Sequence, residues 1–397
     1  MHILVISTHI PMPDRTSGDL RFFSILKILS KTHSITFAVT APDYQRQRIG
    51  EAAYQDYKNR LQDLSIAIHS KCVETIRTAK FEVIWFEYYF NTDWLIDIVR
   101  FYQPHAYVIV DSVDVHFKRF EAKARLTGLK ADFEQAAKVK KAELTAYRQA
   151  DLVIAVSDSD KQALHATCPN TEVAVITNIH RVPEFVRKFP GTAIKLLFVG
   201  GFTHSPNIDA VCFFCTEVMP LLRPRFTNLH LTIVGDSPPK EVLDLADRDI
   251  TVTGYVPSVD PFYNEADIVI VPLRYGGGIK GKVGEAFSFS TPVVTTDFGA
   301  EGFQATPKTY YLLANTPAEF VDAISQLAHD KTLYHLIAKN AWEFIKEHYS
   351  EGAAETAIDT IFNNLPKIKR KKIRLDKWLH LTCDRFLDRN VLWRFRQ

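Results

Sequence analysis

The chain has 397 residues, a formal net charge of +2, 46% hydrophobic and 24% charged residues, which is the profile of a folded protein of two or three domains and excludes a mainly disordered one. No apolar run approaches the roughly 18 residues of a membrane-spanning helix, and five scattered cysteines do not build a disulfide scaffold, so a reducing cytoplasm is expected. From Lys367 onward there are 11 basic and 3 acidic residues, so the tail carries +8 and the remainder −6, and the body offers no general basic face to nucleic acid.

The N-terminus, Met1-His2-Ile3-Leu4-Val5-Ile6-Ser7, has no basic leader and reads as a first strand. Further strands are predicted at Ile35–Thr40, Val83–Glu87, Tyr107–Asp111 and Leu152–Val156, with a helix over Leu20–Ser30, where apolar residues recur at helical spacing. Residues Thr177–Thr192 are polar and proline-bearing and read as a linker. The pattern then restarts, with strands at Lys195–Val199, Leu229–Val234, Ile250–Thr253, Ile268–Pro272, Val293–Thr295 and Tyr310–Leu313. Helices are predicted at Asn207–Leu222, Lys240–Ala246, Lys282–Phe289 and Ala341–Leu365. Near-continuous apolar strands separated by helices predict two doubly wound α/β domains, Rossmann-like, facing one another across a cleft.

The most informative stretch runs from Val271 to Thr296. A buried strand leads into a glycine-rich turn (Gly276, Gly277, Gly278, Gly281) and then a helix. Glycines let backbone N–H groups approach a phosphate, and a helix N-terminus adds positive potential. Lys280 and Lys282 add full charges there, and Glu285, one turn into the helix, suits ribose hydroxyls. The spacing fits a nucleoside diphosphate and matches neither a Walker A loop nor a GxGxxG fingerprint. A plain glycine turn with solvated lysines is the alternative.

This block resembles the donor-binding signature of GT-B glycosyltransferases, in particular the large retaining family 4. Leu197-Phe-Val-Gly-Gly-Phe-Thr-His-Ser-Pro-Asn-Ile-Asp-Ala210, which includes Gly201, is similar to the start of that family's C-terminal domain. Leu231–Gly235 and Val252-Thr-Gly-Tyr-Val256, with Tyr255, resemble the following strands and the loop near the base. Pro11–Arg21, with Gly18 and Asp19, is similar to the glycine loop after the first strand, expected near the diphosphate. The resemblance spans roughly residues 1–365 and implies an acceptor-side domain (1–185), a donor domain (186–345) and a helix returning to the first domain (346–365); the change in composition beyond it marks a basic amphipathic tail (366–397).

Two departures stand out. The family's signature pairs two glutamates; Glu285 matches the second, and the first falls on Gly277. The family's Arg and Lys after the first C-domain strand are replaced by Thr203-His204-Ser205-Pro206-Asn207, and Lys280 with Lys282 stand in as the diphosphate's cations. The resemblance implies transfer of a sugar from a nucleotide-diphosphate sugar to a saccharide or lipid-linked acceptor, with retention, without metal or other cofactor, in surface or envelope polysaccharide assembly. A GT-B sugar-nucleotide epimerase and a non-catalytic nucleotide-sugar-binding partner subunit remain alternatives.

In the first domain, Val110-Asp-Ser-Val-Asp-Val-His116 follows a strand, and the resemblance places an acidic residue or histidine here against the sugar or acceptor: Asp114 and His116, with Asp111 weaker. Alternatively Asp111 caps the next helix and His116 only packs. Ser157 reads as an N-cap, and Glu301-Gly302 matches a common pair near the donor. Cys212-Phe-Phe-Cys215 lacks a second pair and reads as structural thiols. The Lys367–Lys377 run, followed by Trp378, Leu379, Phe386, Leu387, Leu392, Trp393 and Phe395, suits peripheral contact with an anionic membrane surface or packing on the first domain or a partner.

Overall fold

Uninterrupted apolar runs form parallel strands because a sheet covered by helices on both faces buries every side chain of the strand. The computed structural model describes residues 1–275, 280–303 and 305–390, with Leu126 and residues 384–390 described by backbone alone. The chain divides into two compact units, residues 1–177 with 355–397, and residues 178–354.

Among the described residues, the first unit holds β1 (His2–Ser7), β2 (Ser34–Val39), β3 (Ala67–His69), β4 (Val83–Glu87), β5 (Tyr107–Asp111), β6 (Leu152–Ala155) and β7 (Glu172–Val175). They form one parallel sheet in the order β3-β2-β1-β4-β5-β6-β7. The second unit holds β8 (Ala193–Val199), β9 (Asn228–Val234), β10 (Ile250–Gly254), β11 (Ile268–Val271), β12 (Val293–Thr295) and β13 (Leu312–Leu313). Their order, β10-β9-β8-β11-β12-β13, repeats the same winding, again all parallel. The order reverses between β1 and β4 in one sheet and between β8 and β11 in the other. A doubly wound sheet opens a crevice at the carboxyl ends of the strands at this reversal, and ligands bind there.

The predicted strands all form, to within two residues at most ends. β3 and β7 have no counterpart in the sequence reading. Both are short edge strands, partly exposed, so they lack the continuous apolar run. The stretch read as a linker is packed on the second unit instead. Arg187 donates to the backbone oxygens of Ala266 (2.6 Å), Phe289 (2.8 Å) and Tyr263 (3.3 Å), and Trp342 Nε1 donates to Pro183 O at 2.9 Å. Polar composition here reflects hydrogen bonding to buried carbonyls, which reads like solvation in a bare sequence.

The helix predicted over Asn207–Leu222 is continuous from Ser205 but contains a π turn at Phe214–Val218. The two cysteines straddle its start; burial pushes the Cys215 thiol up to about 12, so it is inert. The helix predicted over Ala341–Leu365 is two helices, Lys331–His348 and Glu351–Asn364. The break falls where Tyr349 O accepts from His180 N at 2.8 Å. The basic run also docks: Arg370 donates to His105 O (2.6 Å), Lys371 N to Asp151 Oδ1 (2.6 Å) and Lys371 Nζ to Arg148 O (2.7 Å). Among the described residues no helix is long and apolar enough to cross a membrane.

One ion pair ties the first unit together. Arg21, on the helix Ser17–Ser30, places Nη1 2.8 and 3.0 Å from the two oxygens of Asp111 at the end of β5, and both side chains are fully buried. Its Nε and Nη2 donate to Ile176 O, just after β7, at 3.0 and 2.9 Å. Losing one member of such a pair strands the other charge in the interior. Arg21→Leu is therefore expected to destabilise the protein by about 3–5 kcal/mol in urea unfolding, with most of the loss recovered in Arg21→Leu/Asp111→Leu. A loss below about 1 kcal/mol, the scale of an exposed pair, would contradict this.

Candidate functional site

In the second unit, the reversal between β8 and β11 gathers the donor-type residues. β8 ends at Val199, and Gly200 and Gly201 follow before the helix that begins at Ser205. β11 leads toward the helix Gly281–Ser288, whose N-terminus carries no side-chain cap. Lys282 Nζ donates to Asn207 Oδ1 at 2.6 Å and sits 4.1 Å above the ring of Phe198. A Cβ on Gly200 would fall 2.6 Å from Lys282 Nζ and 2.9 Å from the Asn207 side chain, so only glycine lets this ammonium group lie over the strand end. Gly235, after β9, is under the same constraint, since a Cβ there would fall 2.0 Å from Gly200 O.

Burial brings the Lys282 ammonium down to about 7, against the pull of Glu285. One turn on, Glu285 Oε2 accepts from Tyr263 OH at 2.8 Å, and burial raises its carboxyl above the usual range. Tyr263 is itself fixed by stacking on Phe289, with centroids 5.3 Å apart, and by Arg187 at its carbonyl. Lys280 Nζ lies 3.4 Å from Glu301 Oε2. Gly284 faces His180: a Cβ would fall 2.3 Å from Nε2, and burial drops this histidine to about 4 and keeps it neutral.

The structure thus gathers Lys282 and Glu285 with Gly200, Asn207 and Tyr263, which sequence reading did not single out. Gly201, named from sequence, has open space where a Cβ would be, and its carbonyl accepts from Asn207 Nδ2 at 2.7 Å; the close approach belongs to Gly200. Tyr255 is exposed beyond β10, the sheet edge, two strands from β8. Gly277 and Gly278 lie outside the described residues.

In the first unit, Gly18 lies in the first turn of the Ser17–Ser30 helix and not in a loop; Thr16 Oγ1 caps that helix by accepting from Asp19 N at 3.1 Å. A Cβ on Gly18 would meet Val113 at 3.3 Å. Asp111 is held in the Arg21 pair and caps no helix; Glu143 does that work, accepting from His116 N (3.0 Å) and Phe117 N (2.8 Å). Asp114 pairs with Arg119 at 3.2 Å. His116 lies among Tyr88, Tyr89 and Phe90, with centroids 5.5–6.3 Å away, and burial lowers its pKa in spite of Asp114. Beside these, at the ends of β1 and β4, stand Ser7, His9, Asp19 and Glu87, of which only Asp19 drew notice in the sequence. Among the described residues no group of three or more His, Cys, Asp or Glu is placed to hold a metal ion.

Residues 193–330, which contain the Lys282 and Glu285 site, match the family described as glycosyl transferases group 1. An uncharacterised 44.6 kDa protein in the cps region of Klebsiella pneumoniae is 23% identical over 385 residues, covering 87% of this chain and 96% of that one. Among solved structures, the sucrose-phosphate synthase of Thermosynechococcus elongatus superposes with a TM-score of 0.66 at 14% identity, over 92% of this chain and 98% of that one. HepE of Anabaena, solved in complex with UDP, gives 0.63 at 14% identity, over 92% and 100%. The same two-sheet winding is therefore shared at very low identity, and the segment that matches the family lies in the unit that carries the glycine-flanked lysine and the helix-borne glutamate. The chain has the GT-B fold of these solved structures, and its residues 193–330 match the group 1 glycosyl transferases.

Proposed function

We propose that the protein transfers a sugar, with retention of anomeric configuration, from a nucleoside-diphosphate sugar to a saccharide or lipid-linked acceptor hydroxyl in surface or envelope polysaccharide assembly. The observation that carries this is Lys282 lying over the end of β8, 2.6 Å from Asn207 and one helical turn before Glu285. A desolvated ammonium group is a strong counter-charge for a leaving diphosphate, because little water competes with it. Lys280 and the uncapped helix N-terminus add to it, so the diphosphate's charge is met by the protein's own groups and no metal is invoked. Tyr263 holds Oε2 of Glu285 and leaves Oε1 for a ribose hydroxyl. HepE of Anabaena, which shares the fold, was solved with UDP and with UDP-glucose, and the relative in a cps region supports a polysaccharide setting. On the first unit, Asp114 and His116 are the proposed contacts to acceptor or sugar.

The exposed Leu375, Trp378 and Leu379 on the helix Leu375–Asn390, next to the basic run, support peripheral contact with anionic lipid at the inner face of a membrane.

A thermal-shift titration with UDP, GDP, ADP, TDP and NAD tests the donor site, since a ligand that binds only the folded state raises its stability. One nucleoside diphosphate is expected to raise the melting temperature, and Glu285→Ala to abolish the shift. A response to NAD alone would sink the reading, and binding without turnover for any acceptor would favour the non-catalytic partner. Lys282→Met supplies a second check. With the folded-state lysine lowered to about 7 from an ordinary 10.5, the folded protein binds fewer protons than the unfolded chain between those values, so stability rises with pH across that window. The variant is expected to melt higher than the parent, with a larger gain near pH 6 than near pH 9, while losing nucleotide affinity. An equal or negative change at both pH values would show that the ammonium group is not desolvated.

Liposome flotation addresses the tail. Truncation after Arg374, which keeps the docked Arg370 and Lys371, is expected to lose binding to anionic vesicles that the full chain retains. Equal flotation of the two would remove the membrane role.

A further inference from the structure

The turn that follows β4 carries aromatic side chains that the reading above does not use. β4 ends at Glu87, and the chain then runs Tyr88-Tyr89-Phe90-Asn91-Thr92-Asp93-Trp94 before the helix Ile96–Tyr102. Tyr88 leaves the strand with a φ of +62°, a conformation costly to any residue with a Cβ. Its N–H is nonetheless held by Asp111 O of the neighbouring β5 at 2.9 Å, and Phe90 stacks on its ring with centroids 5.0 Å apart. Asn91 is 5% exposed and pins the turn from below. Its Nδ2 donates to Glu87 O, and its Oδ1 accepts from Thr8 Oγ1 at 3.0 Å. On this fixed backbone two large rings, four residues apart, are turned outward: Phe90 is 39% exposed and Trp94 56%. Large rings kept in water on a rigid support are the usual makings of a binding surface.

Trp94 also lines a pocket of about 240 Å³, together with Thr40, Ser70, Lys71 and Glu74. Thr40 follows β2 and Ser70 follows β3, so the pocket lies at the carboxyl end of the sheet but to one side of its reversal point. With neighbouring strands about 4.8 Å apart, β3 stands roughly 10 Å from β1, further than one sugar ring reaches. A second pocket, of about 390 Å³, adjoins the first through Ser70, Lys71 and Glu74 and continues to Phe81. The surface is therefore extended. Its rim has mixed charge: Lys71 Nζ lies 3.2 Å from Glu74 Oε2, and Asp93 precedes Trp94. One cation beside two carboxylates does not favour an anionic headgroup. It does suit hydroxyl groups, which donate to the carboxylates and accept from the ammonium group and from Ser70 and Thr40.

We propose that Trp94 and the pocket beside it bind one sugar unit of an extended, uncharged glycan, at a place apart from the reversal point of the sheet. A pyranose ring offers a flat face of C–H groups and a rim of hydroxyls. Trp94 meets the face, while Lys71, Ser70 and Glu74 meet the rim. All of these residues belong to the first unit, and no bond is made or broken there. This deepens the glycosyl-transfer reading and rests on it: of the acceptors named there, the pocket selects an oligosaccharide over a single sugar.

The experiment is ¹⁹F NMR of the full chain labelled with 5-fluorotryptophan. There are five tryptophans, and the Trp94 signal is assigned by its loss in Trp94→Phe. The probes are maltohexaose, cellohexaose and chitohexaose, each beside its own monosaccharide, and phosphatidylglycerol vesicles. At least one hexasaccharide is expected to move the Trp94 signal, and its monosaccharide to bind at least tenfold more weakly. Trp94→Ala should weaken that hexasaccharide at least tenfold in calorimetric titration, and Lys71→Met at least threefold. Both side chains are largely exposed, so the melting temperature should stay within a degree or so of the parent's. A Trp94 signal unmoved by all three hexasaccharides overturns the proposal. So does equal binding of the monosaccharide, or a response to the vesicles alone, which would mark a lipid surface. The melting shift produced by a nucleoside diphosphate should be the same in Trp94→Ala as in the parent. Its absence from both counts against the donor site, whereas its presence beside an unmoved Trp94 signal removes the glycan site alone.

Discussion

Arg21 and Asp111 are fully buried, and much of the first unit is arranged around that fact. A charged pair in the interior holds together only if its remaining hydrogen-bond capacity is met. Here Ile176 O takes two of the guanidinium donors and Val113 N donates to Asp111 Oδ1 at 3.2 Å. The helix that follows the first strand is thereby fixed against β5 and the chain leaving β7. That placement brings Asp19, two residues before Arg21, to the end of β1. It also commits a fully buried guanidinium to Asp111, so that it is not available to Glu87 or Asp19.

The second unit meets the corresponding task by close backbone approach. Gly200 and Gly235 bring the ends of β8 and β9 together so tightly that neither tolerates a Cβ, and Lys282 occupies the space so made. Arg187 then ties the carbonyl ends of Ala266 and Phe289 together and fixes Tyr263, which holds Glu285. One sheet thus concentrates carboxylates at its reversal point and the other an ammonium group. Both follow from the same winding order, with different residues placed where that order reverses.

Much of this was legible in the sequence wherever the signal was local. The apolar runs located the principal strands, and the block from Val271 to Glu285 singled out Lys282 and Glu285, which the structure places one turn apart on the helix Gly281–Ser288. What escaped notice depends on contacts distant in sequence. Glu87 looks like the polar end of a strand, and nothing local says that Ser7, 80 residues earlier, meets it. Gly200 and Gly201 are indistinguishable as a Gly-Gly pair; only the position of Lys282 selects the first. Asp111 has the look of a helix cap, but its partner lies 90 residues away and Glu143 supplies the cap from the helix Lys130–Gln149. The polar stretch around Arg187 resembles a spacer because a guanidinium group bound to backbone carbonyls and one bound to water look alike in composition.

The break at Tyr349 and Ser350 separates the last residues of the second unit from a segment that rejoins the first. The second unit is one unbroken stretch of chain, 178–354, whereas the first is assembled from two pieces separated by the whole of the other. Chain order and order of completion therefore differ during synthesis. The first seven strands emerge early, yet the surfaces around His33, Tyr107 and Asp151 wait for Phe362, Arg370 and Lys371 until the whole of the second unit has been made. The second unit can close while the ribosome is still delivering those residues. The unit begun first is completed after the second, and until then the ring of His33 and the carboxylate of Asp151 lack the partners that the returning segment brings.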